Sequence, residues 1–155
     1  MTWKDISVSM LDSVQSCEPR TITLGAWVRA TKRSDIQKKK KQRPALMPHG
    51  LFAGGRQARH CSYMSGLLQF DVDLKHNPGL NPDEVKSRCA LHADIVWCAQ
   101  SAGGGVYGFA MRRGDLDTQL NTIENRLGVV LDRCNSRSVA ALRFASHDPE
   151  PYEHI

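Results

Sequence analysis

Between Gly66 and Lys75 the chain reads GLLQFDVDLK, with Leu68, Phe70, Val72 and Leu74 alternating with Gln69, Asp71, Asp73 and Lys75. Period two predicts a strand with one buried face, and it puts both aspartates on the other face, about 7 Å apart along the strand. HNPGLNPDE closes that strand with turn residues. A helix is expected after it, with Asn81 as N-cap, Pro82 at the first helical position and an end near Ala93. DIVWCAQ (94–100) and VYGFAMR (106–112) read as two strands joined by the tight turn SAGGG into a hairpin. Leu116, Leu120, Ile123 and Leu127 then recur at helical spacing, with Gly128 as the stop. VVLD (129–132) and AALRFAS (140–146) are short extended pieces around a polar loop.

From residue 65 the order is therefore strand, helix, strand, strand, helix, strand. This is a β-α-β-β-α-β unit of the ferredoxin-like or RNA-recognition-motif-like kind, an α+β arrangement with an antiparallel sheet covered by helices on one face. The other face is expected to be free to carry a site. Upstream the pattern is less regular. Residues 3–15 suit either a short strand or a helix, and TITLGAWVRAT (21–31), rich in β-branched residues, reads as a strand. Prolines and glycines interrupt residues 32–61, which read as a long, partly mobile loop. The 155 residues are expected to form one domain.

Charge changes this picture at one place. Residues 29–43 hold eight of the 21 basic residues and one acid, a local +7 that leaves about −2 for the rest of a chain of net charge +5. Such a segment can bind phosphates through counterion release, so Lys38, Lys39, Lys40, Lys41 and Arg43 are candidate nucleic-acid contacts; a solvated loop without a ligand is the alternative. No apolar run is long enough to span a bilayer, and the polar, acid-containing amino terminus does not look like a secretory signal, so no membrane partner and a cytoplasmic location are expected. Five cysteines without a C-x-x-C pair argue against a zinc site and for reduced, mostly buried thiols.

Three groups of residues could carry chemistry. Asp71 and Asp73 offer two oxygen donors to a hard divalent cation, although a D-x-D pair also occurs as surface decoration. Ser101, Gly103, Gly104, Gly105 and Tyr107 surround a glycine turn whose amides can approach an anion, and a plain hairpin turn is the alternative. Asp132 ends an apolar run close to Arg133, Arg137 and Arg143, so an acid that could complete a metal site lies near cations suited to phosphate.

In that order, SGLLQFDVD, SAGGGVYGF, GVVLDRC and LRFASHDPEPY resemble the archaeo-eukaryotic primase superfamily. The likeness is to the primase-polymerase domain at the amino terminus of virulence-associated protein E of phages, plasmids and mobile elements, over about residues 44–153. The resemblance implies a primase-polymerase core in which Asp71, Asp73 and Asp132 are catalytic and hold two magnesium or manganese ions. It also implies that the glycine turn and Arg143 grip a nucleoside triphosphate. Where the family has a histidine after the turn this chain has Tyr107, and Ala102 and Ala141 stand where a serine and an arginine are usual.

The function expected on this basis is template-directed nucleotidyl transfer on single-stranded DNA in replication of a mobile element, with a helicase supplied in trans or by a longer chain. Two other functions fit the same residues. One is a catalytically weakened module that binds single-stranded DNA or a replication protein; the other is a metal-dependent nuclease or replication initiator in which Tyr107 supplies a nucleophile.

Overall fold

The computed structural model describes residues 1–36 and 39–155. In chain order its elements are β1 (Ser7–Leu11), β2 (Arg20–Thr23), α1 (Leu24–Thr31), β3 (Ala45–Met47), β4 (Gly50–Phe52), β5 (Cys61–Met64) and β6 (Leu67–Val72). There follow α2 (Pro82–Cys89), β7 (Ile95–Gln100), β8 (Val106–Met111), α3 (Leu116–Leu127), α4 (Cys134–Arg137), β9 (Arg143–Phe144) and β10 (Tyr152–Glu153). The chain is α+β with antiparallel strand pairs, as expected. It forms two compact units, Met1–Leu67 with Ser138–Pro149 and Leu68–Arg137 with Glu150–Ile155. Among the described residues no helix is long and apolar enough to cross a membrane.

The first unit holds a sheet of order β2-β1-β3-β9 and the hairpin β4-β5. TITLGAWVRAT is not one strand. Only Arg20–Thr23 pairs with β1, after which the Thr23 hydroxyl accepts the Ala26 amide at 3.2 Å and caps α1. Leu24, Trp27, Val28 and Thr31 are buried at helical spacing, and that periodicity outweighs the β-branched composition. Residues 32–61 are not one long loop either. Ala45, Leu46 and Met47 are fully buried between β1 and β9, and β4 follows at once. Gly50 is required there, because a Cβ would stand 2.3 Å from the Tyr63 carbonyl oxygen.

The second unit has the sheet order β10-β7-β8-β6, and a single residue, Asp132, bridges antiparallel to Asp71 beyond β6. From that bridge inward, the strands follow the order of the expected β-α-β-β-α-β unit, with β10 added at the far edge. The fourth strand is reduced to the bridge. AALRFAS does not supply it, since Arg143–Phe144 pairs with β3 in the first unit. α2 starts as expected, with Asn81 Oδ1 accepting the amides of Asp83 and Glu84. It ends at Cys89, short of Ala93, where tighter three-residue bonds take over. α3 ends at Gly128 with φ 65°, the left-handed stop that the glycine allows.

Leu68, Phe70 and Val72 pack with Val85 and Cys89 of α2 and with Leu120, Ile123 and Leu127 of α3, so the helices cover one sheet face. The opposite face is not free. Gln69, Trp97, Tyr107 and Phe109 are each 0% exposed, which corrects the expectation of an open sheet surface. The thiols differ from expectation too: none of the five is in a disulfide, but only Cys89 and Cys98 are buried, and Cys17 and Cys134 are exposed.

Candidate functional site

β6 places Asp71 on the face away from the helices, and its extended backbone continues through Asp73 (φ −88°, ψ 135°), so the two acids share that side. The Asp132 amide donates to the Asp71 carbonyl at 2.9 Å, making these residues direct cross-strand partners. Partners of this kind project to one face with Cβ atoms about 5 Å apart. Asp71, Asp73 and Asp132 are all half-buried. Asp132 Oδ1 accepts the Cys134 amide at 3.1 Å, which starts α4 and fixes that carboxylate's orientation.

Side chains hold the register where a fourth strand is missing. Asn77 Nδ2 donates to the carbonyls of Asp73 and Val130, both at 2.8 Å, and its Oδ1 accepts the Val130 amide at 2.7 Å. Glu124 accepts the Leu131 amide at 3.0 Å and pairs with Arg133 at 2.8 Å. The Ser136 hydroxyl donates to the Gln69 carbonyl at 2.8 Å. Asn77 thus positions the acids without being one of them. Its sequence signal was hidden, because Asn-Pro in HNPG already reads as turn chemistry.

The glycine turn lies at the same end of β6. A Cβ on Gly105 would fall 2.2 Å from the Val72 carbonyl oxygen, and one on Gly104 (φ 88°) 3.0 Å from Leu74 Cδ1, so the turn abuts the segment between and after the two aspartates. Ser101 and Gly105 close it with a 2.9 Å bond from amide to carbonyl, and Gly104 donates to the Ser101 carbonyl at 3.0 Å. Ala102 and Gly103 at its exposed tip have no hydrogen-bond partner among the described residues. Two adjacent amides without acceptors suit an anion.

Tyr107 is not at the turn's surface. Its ring meets Trp97 edge-on at 5.1 Å and Phe109 at 6.2 Å, and Trp97 stacks on Phe109 at 5.3 Å. With no exposed area it belongs to this aromatic layer and does not offer its hydroxyl to a nucleotide in solvent. Arg143, half-buried in β9, belongs to the first unit, whereas the acids and the glycine turn belong to the second. Lys39 and Lys41 are exposed; Lys40 lies in a short 3-10 turn; Lys38 lies outside the described residues. Arg43 is half-buried and donates to the Ala145 carbonyl at 3.3 Å.

Among the described residues no group of three or more His, Cys, Asp or Glu side chains stands ready to hold a metal ion. Asp71 and Asp132 are backbone partners on neighbouring strands, with Asp73 next along the strand. Magnesium is commonly held by only one or two carboxylates, with substrate phosphates and water completing the shell, so this donor set fits such an ion when a phosphate ligand is bound. No family model matches this chain, and no curated protein and no solved structure matches it.

Proposed function

We propose that the chain is a metal-dependent nucleotidyltransferase of the primase-polymerase type, extending an oligonucleotide on a single-stranded DNA template in the replication of a phage, plasmid or other mobile element. The observation that carries this reading is the cross-strand pair Asp71 and Asp132, with the glycine turn against the strand end that follows Asp71. Two acids on one face of neighbouring strands can offer oxygen ligands to a single hard cation. The arrangement therefore favours a metal-binding role over surface decoration.

Asp71 and Asp132, with Asp73, would hold magnesium or manganese. When bound, such ions neutralise phosphate charge and make a 3′-hydroxyl more acidic. The rest falls to the chain's own groups. The amides of Ala102 and Gly103 bind phosphate oxygens of a nucleoside triphosphate, and Asn77 keeps the acids in register. Lys39 and Lys41 attract the template backbone. The protein acts in the cytoplasm, away from membranes, and the unwinding of a duplex falls to a helicase in trans or in a longer chain.

The burial of Tyr107 favours one second reading, a module of this fold that binds single-stranded DNA or a replication protein and no longer transfers nucleotides. The same burial weighs against a nuclease or initiator with Tyr107 as nucleophile. Incorporation of labelled nucleotides on primed and unprimed single strands, with manganese, separates the readings. Product that disappears in Asp71→Asn supports the enzyme; retained DNA binding without product from either template supports the binding module.

A further inference from the structure

Tyr63 in β5 is 64% exposed, whereas the other nine aromatic side chains are buried or half-buried. Its strand is one of the two in the β4-β5 hairpin, each an edge, and exposes Ser62, Tyr63 and Met64 in succession. An exposed apolar edge of this kind is usually blunted by charge or proline, because it invites aggregation. Here it is kept, and the stretch of chain that carries it is unusual in charge. Between Asp35 and Asp71 the chain carries seven lysines and arginines and not one acid.

Arg59, four residues before Tyr63, is exposed and makes no hydrogen bond or ion pair among the described residues. Many other arginines are tied down. Arg20 pairs with Asp12, Arg113 with Asp94, Arg133 with Glu124 and Arg137 with Asp117, and Arg56 donates to the carbonyls of Val14 and Ser16. An uncompensated guanidinium four residues from an exposed ring, in a stretch of chain without acids, matches a ligand that offers both phosphate charge and a flat apolar face. Unpaired nucleotides offer both, whereas the bases of a duplex hide their faces in the stack.

We propose that Tyr63 and Arg59 form a stacking platform for single-stranded polynucleotide, the ring receiving a base and the guanidinium a phosphate. The proposal deepens the polymerase reading, on which it rests for the identity of the template. The platform is distinct in sequence from the lysine run, and its specificity is for strandedness and not for base sequence, since every base has a face that can stack.

Fluorescence anisotropy of labelled oligo-dT with the full chain, in a chelator over a series of salt concentrations, tests it. Tyr63→Ala is expected to weaken binding roughly 5- to 100-fold, the loss that goes with one stacked base, with an unchanged salt slope. Tyr63→Phe is expected to bind within about twofold of the native chain, because the ring and not the hydroxyl does the stacking. Arg59→Ala is expected to lower the salt slope by about 0.7, the value for one phosphate contact on a single strand.

The proposal is overturned if Tyr63→Ala binds like the native chain, if Tyr63→Phe falls as far as Tyr63→Ala, or if a duplex shows the same dependence on Tyr63. The chelator removes catalysis from the measurement. Tyr63-dependent binding in a chain that incorporates no nucleotide would leave the platform standing and remove the polymerase. Incorporation by a chain whose binding ignores Tyr63 would do the reverse.

Discussion

The Asp132 amide donates to the Asp71 carbonyl at 2.9 Å, so these two acids face each other across neighbouring strands and project to one side of the sheet. Directly opposed like charges cost about 0.2–1 kcal/mol. In a chelator, Asp71→Asn is therefore expected to raise the melting temperature slightly, and Asp132→Asn to do the same while keeping an acceptor for the Cys134 amide. Manganese should then stabilise the native chain but neither variant. Calorimetry with and without the ion reads both effects, and equal stabilisation of all three chains would place the metal elsewhere.

Asn77 makes three hydrogen bonds that tie the end of β6 to Val130. Asn77→Ala is expected to destabilise the chain by about 1–3 kcal/mol, the sum of a few such bonds less their partial replacement by water. Asn77→Asp keeps the acceptor for the Val130 amide and loses both donations, so it should fall between the two in a denaturant titration. A native-like midpoint for Asn77→Ala would show that Glu124 and Ser136 hold the register unaided.

Two glycines of the turn should respond in opposite ways. A Cβ at Gly103 meets no heavy atom within 4 Å, whereas at Gly105 it would lie 2.2 Å from a main-chain oxygen that cannot move aside without breaking the sheet. Gly103→Ala is expected to fold with native stability and Gly105→Ala to lose several kcal/mol, in line with other severe steric conflicts. Thermal melts of the pair check the close packing of turn and strand, on which any joint role of the two depends.

His92 lies buried after α2, and its Nδ1 accepts the Asp94 amide at 3.3 Å. Burial holds its pKa below the ordinary 6.5; Asp94 opposes this and Arg126 adds to it. The unfolded chain therefore takes up a proton near pH 6.5 that the folded chain does not yet bind. Stability should be steady above that pH and fall as the pH drops below 6.5, until the folded chain is protonated as well. His92→Asn keeps an acceptor for the Asp94 amide and should flatten this part of the profile. An unaltered acid limb in the variant would assign the loss to other groups.

Some of this structure could be read in the chain directly. The alternation of Leu68, Phe70 and Val72 with Gln69 and Asp71, the Asn81 cap and the spacing of α3 are local signals, and each element formed where those signals lie. The burial of both sheet faces also had a signal: IVWCAQ and VYGFAM are apolar at successive positions, as in strands covered on both sides, and do not alternate as a strand with one wet face does. Of the extended piece VVLD only the last residue, Asp132, pairs as a fourth strand. One bridging residue, held by Asn77 and Glu124 from elsewhere in the chain, leaves no periodicity to detect. Asp71 and Asp132 become partners only through that long-range pairing; the resemblance implied that they share a site with Asp73, and no local pattern did.

The most direct test of the central claim is incorporation of labelled nucleotides on a primed single-stranded template with manganese, comparing the native chain with Asp71→Asn and Asp132→Asn. The predicted result is product from the native chain and a loss of at least about a hundredfold in each variant, the scale on which removing one charge-stabilising group acts. Equal product from all three chains, or none from a native chain that still binds the template, would contradict it.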